Sequence, residues 1–515
     1  MTNPLPKHHQ LRLLDDYGLD WKPLLLAGCV GSGKTAGAIL LDEQRRRKRP
    51  RANPTLVVCP ASVKMNWMRE IQLWCGKPAI VIDGDKKTRE KQIQVIEELC
   101  KLNTPDVLTI QYVVTNFDTV RLHWQWFQSH HWYQLIVDEA HNIKNPSTIR
   151  THSVKAINAY GKLALSGTPI ANKPNDLWSL LHFLEPGSEY PHKKIEYTDP
   201  KKKDHIPPGM RMRNPSPTWG SYLSFVGRYC SKNEWGAVTG GSNLEELNRR
   251  LSPIMVRWKR EEVLPDLPPL TVEMVPIELT PQQLQVYMDL RAGFFEWLAQ
   301  KENGDKEYIT KEARSILARL TYFRRITSMS PARFAASIAR DRPEFAKGVK
   351  MSDSRLSAKA AWIEEFIDYK LDEEEKVVIL SNWADTIEEL AKLLAKHKPS
   401  IIMGGVSSAK RQEAVDKFEK VFLGTSAAWE GINLQSANTL IWTDLPWNST
   451  GIIQGNGRIH RLGQDKPCDV FYLLGQETID ENIMRITQNK AKDIAQAIDA
   501  GNSVELLQLG LENIV

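Results

Sequence analysis

Gly28-Cys29-Val30-Gly31-Ser32-Gly33-Lys34-Thr35 is the stretch that most limits what this chain can fold into. The spacing Gly-x-x-x-x-Gly-Lys-Thr makes a complete phosphate-binding loop. Its glycines let backbone N–H groups approach phosphate oxygens, the lysine reaches the β and γ phosphates, and the threonine holds Mg2+. Such a loop needs a strand before it and a helix after it. Pro23-Leu24-Leu25-Leu26 supplies the strand, and Thr35 to Gln44, with Ala36, Ala38, Ile39 and Leu40, supplies the helix. Gly31, Ser32, Gly33, Lys34 and Thr35 are therefore the expected ATP contacts. The plainer alternative is a Gly-rich surface loop that binds nothing.

A second acidic element, Leu135-Ile136-Val137-Asp138-Glu139-Ala140-His141, ends an apolar run in two carboxylates. That puts both acids at the carboxyl end of a parallel strand, where open α/β sheets bind ligands. There Asp138 would hold Mg2+, with Thr35, and Glu139 would orient and deprotonate an attacking water. Alone, an Asp-Glu pair after a strand reads as a solvated turn or helix cap. The phosphate loop upstream reverses that preference.

At 515 residues the chain exceeds one ordinary core, so two domains are expected. Apolar runs and helical patterns alternate twice. Leu24–Leu26, Thr55–Cys59, Ala79–Ile82, Leu108–Ile110, Leu135–Val137 and Leu163–Leu165 read as strands, with helices such as Val63–Trp74 and Thr88–Leu102 between them. The alternation returns in Lys376–Leu380, Ile401–Met403, Val421–Leu423, Thr439–Trp442 and Val470–Leu474, which starts a second sheet near Ser352. The fold class is α/β, each sheet parallel with helices on both faces, plus helical insertions. The expected divisions are 1–185, a first lobe; 186–268, an insertion and return; 269–351, a linker and helical protrusion; and 352–515, a second lobe with terminal helices.

Hydrophobic content of 42% and charged content of 25% describe a soluble globular chain. No run of eighteen apolar residues occurs and Met1–Leu14 lacks a signal-peptide core, so no membrane association is expected. The six cysteines form no CxxC pair, the pattern of a reduced compartment without a zinc site. A net charge of +6 points only weakly to nucleic acid. Two readings stand for Arg45–Arg51: a solvated helix end favoured by the macrodipole, or a phosphate-contacting patch. A nuclear import signal is a third. For most of the sixteen tryptophans, including Trp124, Trp126 and Trp132, core packing is the expectation.

Further stretches extend these motifs: Leu56–Trp74, Val137–Asn145 (VDEAHNIKN), Leu163–Pro186, Ser426–Asn448 and Gln454–Gln464 (QGNGRIHRLGQ). In this order they resemble motifs Ia, II, III, V and VI of a Swi/Snf-type ATPase of helicase superfamily two. The resemblance runs nearly end to end. It departs at motif I, where the family's Asp-Glu-Met-Gly-Leu-Gly is replaced, and at Trp429-Glu430-Gly431. Ser221–Pro268 is most similar to the distant annealing-helicase-like branch.

The resemblance implies two RecA-like lobes that share one ATP. It assigns adenine recognition to Gln10, γ-phosphate sensing to Gln454, transition-state charge to Arg458 and Arg461, with Arg461 the finger, and relay to Ser166, Gly167 and Thr168. Lys64, Asn66, Lys144, Asn145, Thr425, Ser426, Trp447 and Asn448 are the implied DNA contacts. The function implied is an ATP-dependent double-stranded DNA translocase, acting on protein–DNA complexes or on forked and branched DNA. Two other classes stand beside it: a strand-separating helicase, and a DNA-binding scaffold without catalysis. A monomer is expected, of prokaryotic or viral origin and cytoplasmic, or nuclear if eukaryotic. Targeting would come from Glu185–Gly241, the helices after Ile479, or a partner protein.

Overall fold

The computed structural model describes residues 5–19, 21–104, 107, 109–167, 174–185, 215–232, 238–263, 265–299, 320–341, 356–371, 375–406, 408–429, 432–447, 449–461 and 463–485. The chain forms two compact units that divide between Asp266 and Leu267. Among the described residues no helix is long and apolar enough to cross a membrane.

In the first unit, β1 (Leu24–Gly28), β2 (Thr55–Cys59), β3 (Ala79–Val81), β4 (Tyr112–Asn116), β5 (His131–Val137) and β6 (Asn158–Ser166) are joined by helices. After the two-stranded hairpin of β7 (Cys230–Lys232) and β8 (Val238–Gly241), β9 (Met255–Trp258) completes the sheet. The seven strands run in the order β3-β4-β2-β5-β6-β1-β9, all parallel. Helices cover both faces of such a sheet, which is why β1 and β2 are buried at every position and, but for Thr55, apolar. The helices that matter below are α1 (His8–Tyr17), α2 (Lys34–Lys48) and α3 (Lys64–Cys75).

The second unit holds a six-stranded parallel sheet, β10-β15-β14-β11-β13-β12. Its strands are β10 (Leu270–Ile277), β11 (Val377–Leu380), β12 (Ser400–Ile402), β13 (Val421–Gly424), β14 (Thr439–Trp442) and β15 (Cys468–Gly475). Ile363 and Ile367 from the helix Ala358–Lys370 pack on Val377, Ile379, Leu423 and Ile441. A separate apolar cluster of Val286, Tyr287, Phe323, Ile326 and Phe334 holds the helical part of this unit together.

Four expectations are corrected. The strand placed at Leu108–Ile110 is Tyr112–Asn116 instead. Asn103 seizes the earlier residues: its Oδ1 accepts from Thr109 N (2.7 Å) and Ile110 N (3.2 Å), and its Nδ2 donates to Ile110 O (2.8 Å). The second sheet begins at Leu270, not near Ser352, because β10 pairs with β15 from Leu270↔Cys468 to Ile277↔Gly475. As an edge strand with Pro276 and alternating exposure, β10 lacks the continuous apolar run of a central strand. β9, also unforeseen, carries Arg257, whose guanidinium donates to Ala27 O at 3.1 Å. Finally, neither reading of Arg45 and Arg46 holds, for both are buried inside the lobe. Arg45 donates to Lys22 O (3.1 Å) and Gln134 Oε1 (3.0 Å). Arg46 donates to Asn53 O (3.0 Å) and Thr55 Oγ1 (2.9 Å) and lies over the Tyr133 ring. Only Arg47, Lys48, Arg49 and Arg51 of this run are exposed basic residues.

Arg46 also stands 3.8 Å from the buried Asp42 carboxylate. Removing one partner of a buried pair leaves the other charge uncompensated. Arg46→Ala should therefore cost about 3 kcal/mol of stability, measured by urea unfolding, while Arg47→Ala on the exposed face leaves the midpoint unchanged.

Candidate active site

The strand order sets β1, β6 and β5 side by side, so everything that follows each of them meets at one edge of the first sheet. Leaving β1, the chain turns through Cys29–Gly33 with Gly31 at φ 82° and Gly33 at φ 76° before α2 starts at Lys34. A side chain at Gly33 would be strained by that left-handed backbone, and its Cβ would stand 2.7 Å from Gln10 Nε2. The Lys34 ammonium donates to Gly28 O (2.8 Å) and Cys29 O (3.0 Å), and Ser32 Oγ donates to Cys29 O (2.8 Å).

α1 braces this loop from outside. Gln10 is buried; its Nε2 donates to Gly33 O (3.2 Å) and its Oε1 accepts from Lys7 N (2.9 Å). His9 Nε2 lies 3.0 Å from Ser32 O, a carbonyl that can only accept, so the ring nitrogen donates; burial lowers the His9 pKa. Beneath the loop, the Trp258 indole meets the His9 ring edge-on at 4.5 Å. A Cβ at Gly37 would approach Trp258 Cη2 to 2.7 Å, so α2 lies flush on this ring only because glycine stands there.

At the end of β5, the Asp138 N–H bonds Val58 O (2.8 Å). Its Oδ1 accepts from Glu139 N (2.8 Å) and its Oδ2 from the Trp67 indole N–H (2.8 Å). Burial, and next the charge of Glu139, raise the Asp138 pKa; the Trp67 bond and the Lys34 charge pull the other way. Glu139 adopts a left-handed backbone, φ 47° and ψ 53°, a conformation that costs a non-glycine residue energy and that clusters at functional sites. Its Oε2 stands 3.2 Å from His141 Nδ1. From β6, Ser166 pairs with Ala27, and a Cβ on Gly167 would lie 3.7 Å from Lys34 Nζ. Thr168 lies outside the described residues.

Asp138, Glu139 and Thr35 offer hard oxygen ligands. Among the described residues there is no cluster of three or more His, Cys, Asp or Glu able to cage a metal alone. Mg2+ binds through one or two carboxylates together with substrate phosphates, a donor set to which Asp138 and Thr35 would contribute.

In the second unit the helix Ser449–Ile459 carries Gln454 and Arg458, both buried, and Arg461 follows it, half-buried. The spacing of four keeps Gln454 and Arg458 on one face of the helix, and Arg461 stands just past its end. Arg458 Nη1 donates to Ile432 O and its Nε to Gln454 O, each at 3.1 Å. Gly455 lets the helix lie against the Trp442 indole, where any Cβ would collide. Asn456 accepts from Trp442 Nε1 (2.9 Å) and donates to the Tyr472 hydroxyl (2.8 Å). Gln464 Nε2 donates to Ala437 O (2.9 Å) and Ile459 O (3.0 Å), pinning the turn that presents Arg461.

The expected DNA contacts separate by burial. Asn66, Asn145 and Ser426 are exposed, although Asn145 Oδ1 accepts from Ser147 N (3.0 Å) within its own turn. Lys144 is half-buried, 3.7 Å from Asp176. Trp447 is half-buried with the Arg324 guanidinium 4.9 Å above its ring. Lys64 is only 2% exposed, with its ammonium on Asp83, and Thr425 is buried beneath Ile402 O. Asn448 lies outside the described residues. Sequence reasoning passed over Trp67, Trp258, Asn456 and Gln464. Trp67 stood in the motif Ia stretch and the last two in motif VI; nothing local marked Trp258, whose partners His9 and Gly37 lie on α1 and α2.

Two family models match the chain: the SNF2-related domain over residues 12–330 and the helicase conserved C-terminal domain over residues 358–463. TATA-binding protein-associated factor MOT1 of Saccharomyces cerevisiae is 25% identical over 97% of this chain and 28% of its own length. The uncharacterized ATP-dependent helicase MG018 of Mycoplasma genitalium is 26% identical over 92% of this chain and 40% of its own length. The DNA repair and recombination protein RAD54-like of Drosophila ananassae is 26% identical over 94% and 61%. The chain thus spans less than two thirds of these relatives. The Sulfolobus solfataricus SWI2/SNF2 ATPase core in complex with dsDNA is 24% identical, covering 99% of this chain and 97% of that one, with a TM-score of 0.41.

Because Gly33 combines a left-handed backbone with the close approach of Gln10, Gly33→Ala should weaken binding of a fluorescent ADP roughly tenfold, the strain being about 1–2 kcal/mol. Titration by fluorescence anisotropy checks it.

Proposed function

We propose, from the premise that this chain belongs to the SNF2-related family of helicase-like ATPases, that it is an ATP-driven translocase on double-stranded DNA. The observation that carries the reading is the meeting of the phosphate loop, the Asp138–Glu139 pair and the end of β6 at one sheet edge, with Gly167 beside Lys34. ATP hydrolysis is the chemistry such an edge supports. Translocation on duplex, with remodelling of protein–DNA complexes or DNA branches as its outcome, is the finer proposal.

In this mechanism Lys34 exchanges its two loop carbonyls for β and γ phosphate oxygens, and the amides of Gly31–Lys34 close around the phosphates. Thr35 and Asp138 would hold Mg2+, which when bound neutralises phosphate charge. Glu139 orients the attacking water and takes its proton. Gln10, seated on Gly33 O, ties α1 to the loop and lies next to the position an adenine would take. Ser166 and Gly167, with Thr168, relay the state of the γ phosphate. Gln454 senses that phosphate and Arg461 stabilises charge on it in the transition state; Arg458, bonded to Ile432 O, holds the turn. DNA phosphates are the sequence-independent partners suited to a motor. Asn66, Lys144, Asn145, Ser426, Trp447 and Asn448 are the proposed contacts, while Lys64 and Thr425 serve the interior of their units.

ATPase rates measured side by side with single-stranded, duplex, forked and four-way-junction DNA test the proposal, together with displacement of a third strand from a triplex. Duplex stimulation with triplex displacement is expected. Fork unwinding without triplex displacement would make the protein a strand-separating helicase, and no turnover with any DNA would make it a scaffold. Arg461→Ala should lower turnover by about 10³-fold while sparing ATP binding and thermal stability. Arg458→Ala should lower both turnover and melting temperature, because its guanidinium is part of the interior. Glu139→Gln should abolish turnover and retain bound ATP.

A further inference from the structure

We propose that Trp67 is a positioning residue for Asp138, its indole N–H fixing the carboxylate in the one orientation that can meet a divalent ion. This rests on the reading of Asp138 as the acid that holds Mg2+.

The contact follows from the fold. β2 and β5 are neighbours, with Val58 opposite Val137, and Asp138 N–H continues that ladder onto Val58 O. The chain leaves β2, makes the short turn Ala61–Val63 and enters α3, so the first turn of α3 leans over the end of β5. There Trp67, 1% exposed, aims its only polar atom at Asp138 Oδ2 at 2.8 Å. An indole nitrogen donates and cannot accept, so this bond has one polarity. With Glu139 N–H on Oδ1, each carboxylate oxygen has one protein donor, from two different elements, and keeps a second lone pair for a ligand. Other indole N–H groups here donate to carboxylates too, Trp74 to Glu70, Trp126 to Glu97 and Trp219 to Glu185, each at 2.8 Å; what distinguishes Trp67 is that its acceptor is the buried acid at the end of β5, within the field of Lys34. Groups that orient a metal ligand in this way tune its affinity, and their loss costs about 10–100-fold.

The test replaces the N–H and keeps the ring. Two variants serve: Trp67→Phe, and substitution of Trp67 by benzothienylalanine, which retains the bicyclic shape with sulfur in place of N–H. Mn2+ affinity in the presence of ADP is read by electron paramagnetic resonance, and ADP affinity in EDTA by anisotropy. Mn2+ binding should weaken on the order of tenfold in both variants, with ADP affinity in EDTA unchanged. If the phenylalanine variant does not fold, the benzothienylalanine protein decides. Wild-type Mn2+ affinity in a folded variant overturns the proposal. Asp138→Asn separates the two layers. If that substitution also leaves Mn2+ binding untouched, the reading of Asp138 as metal ligand fails and the proposal with it; if it weakens Mn2+ while the Trp67 variants do not, only the role of Trp67 fails.

Discussion

The parallel ladder that lays β1 against β6 and β6 against β5 is the constraint on which the first unit depends. In a parallel sheet all carboxyl ends point one way, so three segments far apart in sequence must open on the same edge. The phosphate loop, the acid pair and Ser166–Gly167 need no long-range design beyond correct register. Register in turn decides the site: Ala27 stands opposite Ser166, and a slip of β1 would carry its loop away from Gly167. What the rest of the unit adds is support from outside the ladder, by α1 on the loop carbonyls, Trp258 under α2 and Trp67 on Asp138.

The second unit solves a similar problem by burying polar groups. The helix bearing Gln454 and Arg458 lies on Trp442, and beside its buried Ile452 and Ile459 it is held by polar bonds from Asn456 and, past its end, Gln464. Elsewhere in the unit Lys359, with no exposed surface, donates to Asp480 Oδ2 (2.6 Å) and Thr443 O (2.8 Å). Asp385 receives Arg325 at 2.8 Å and Arg340 at 3.1 Å, joining the helical part to the helix Ala384–Leu393. Such networks stabilise only while every member has its partner, which gives a helix one seating instead of several.

Features encoded within a dozen residues were legible in the sequence, and those encoded by distant contact were not. The phosphate loop with its strand and helix, the acids after β5 and the two rounds of α/β alternation all declare themselves locally. Leu108–Ile110 looked like a strand because its composition is right, yet the side chain of Asn103 claims the backbone of Thr109 and Ile110. β10 escaped because an edge strand needs only one apolar face. Arg45 and Arg46 looked like surface charge because no local pattern announces Gln134, Thr55 and Tyr133 as their partners. The same holds for Lys64, whose burial on Asp83 is decided by the turn after β3. The family resemblance already singled out Arg461 within motif VI, while the burial of Arg458 on Ile432 O, beside a half-buried Arg461, came from packing.

The bonds from Lys34 to Gly28 O and Cys29 O give the phosphate loop a resting partner of its own. Nucleotide binding at this loop is then an exchange of acceptors, in which the net gain of each hydrogen bond is small, about 1 kcal/mol. The reverse step gains by the same logic. Under the proposed mechanism, when product departs the ammonium returns to two carbonyls within reach, so release leaves no orphaned charge behind in the loop.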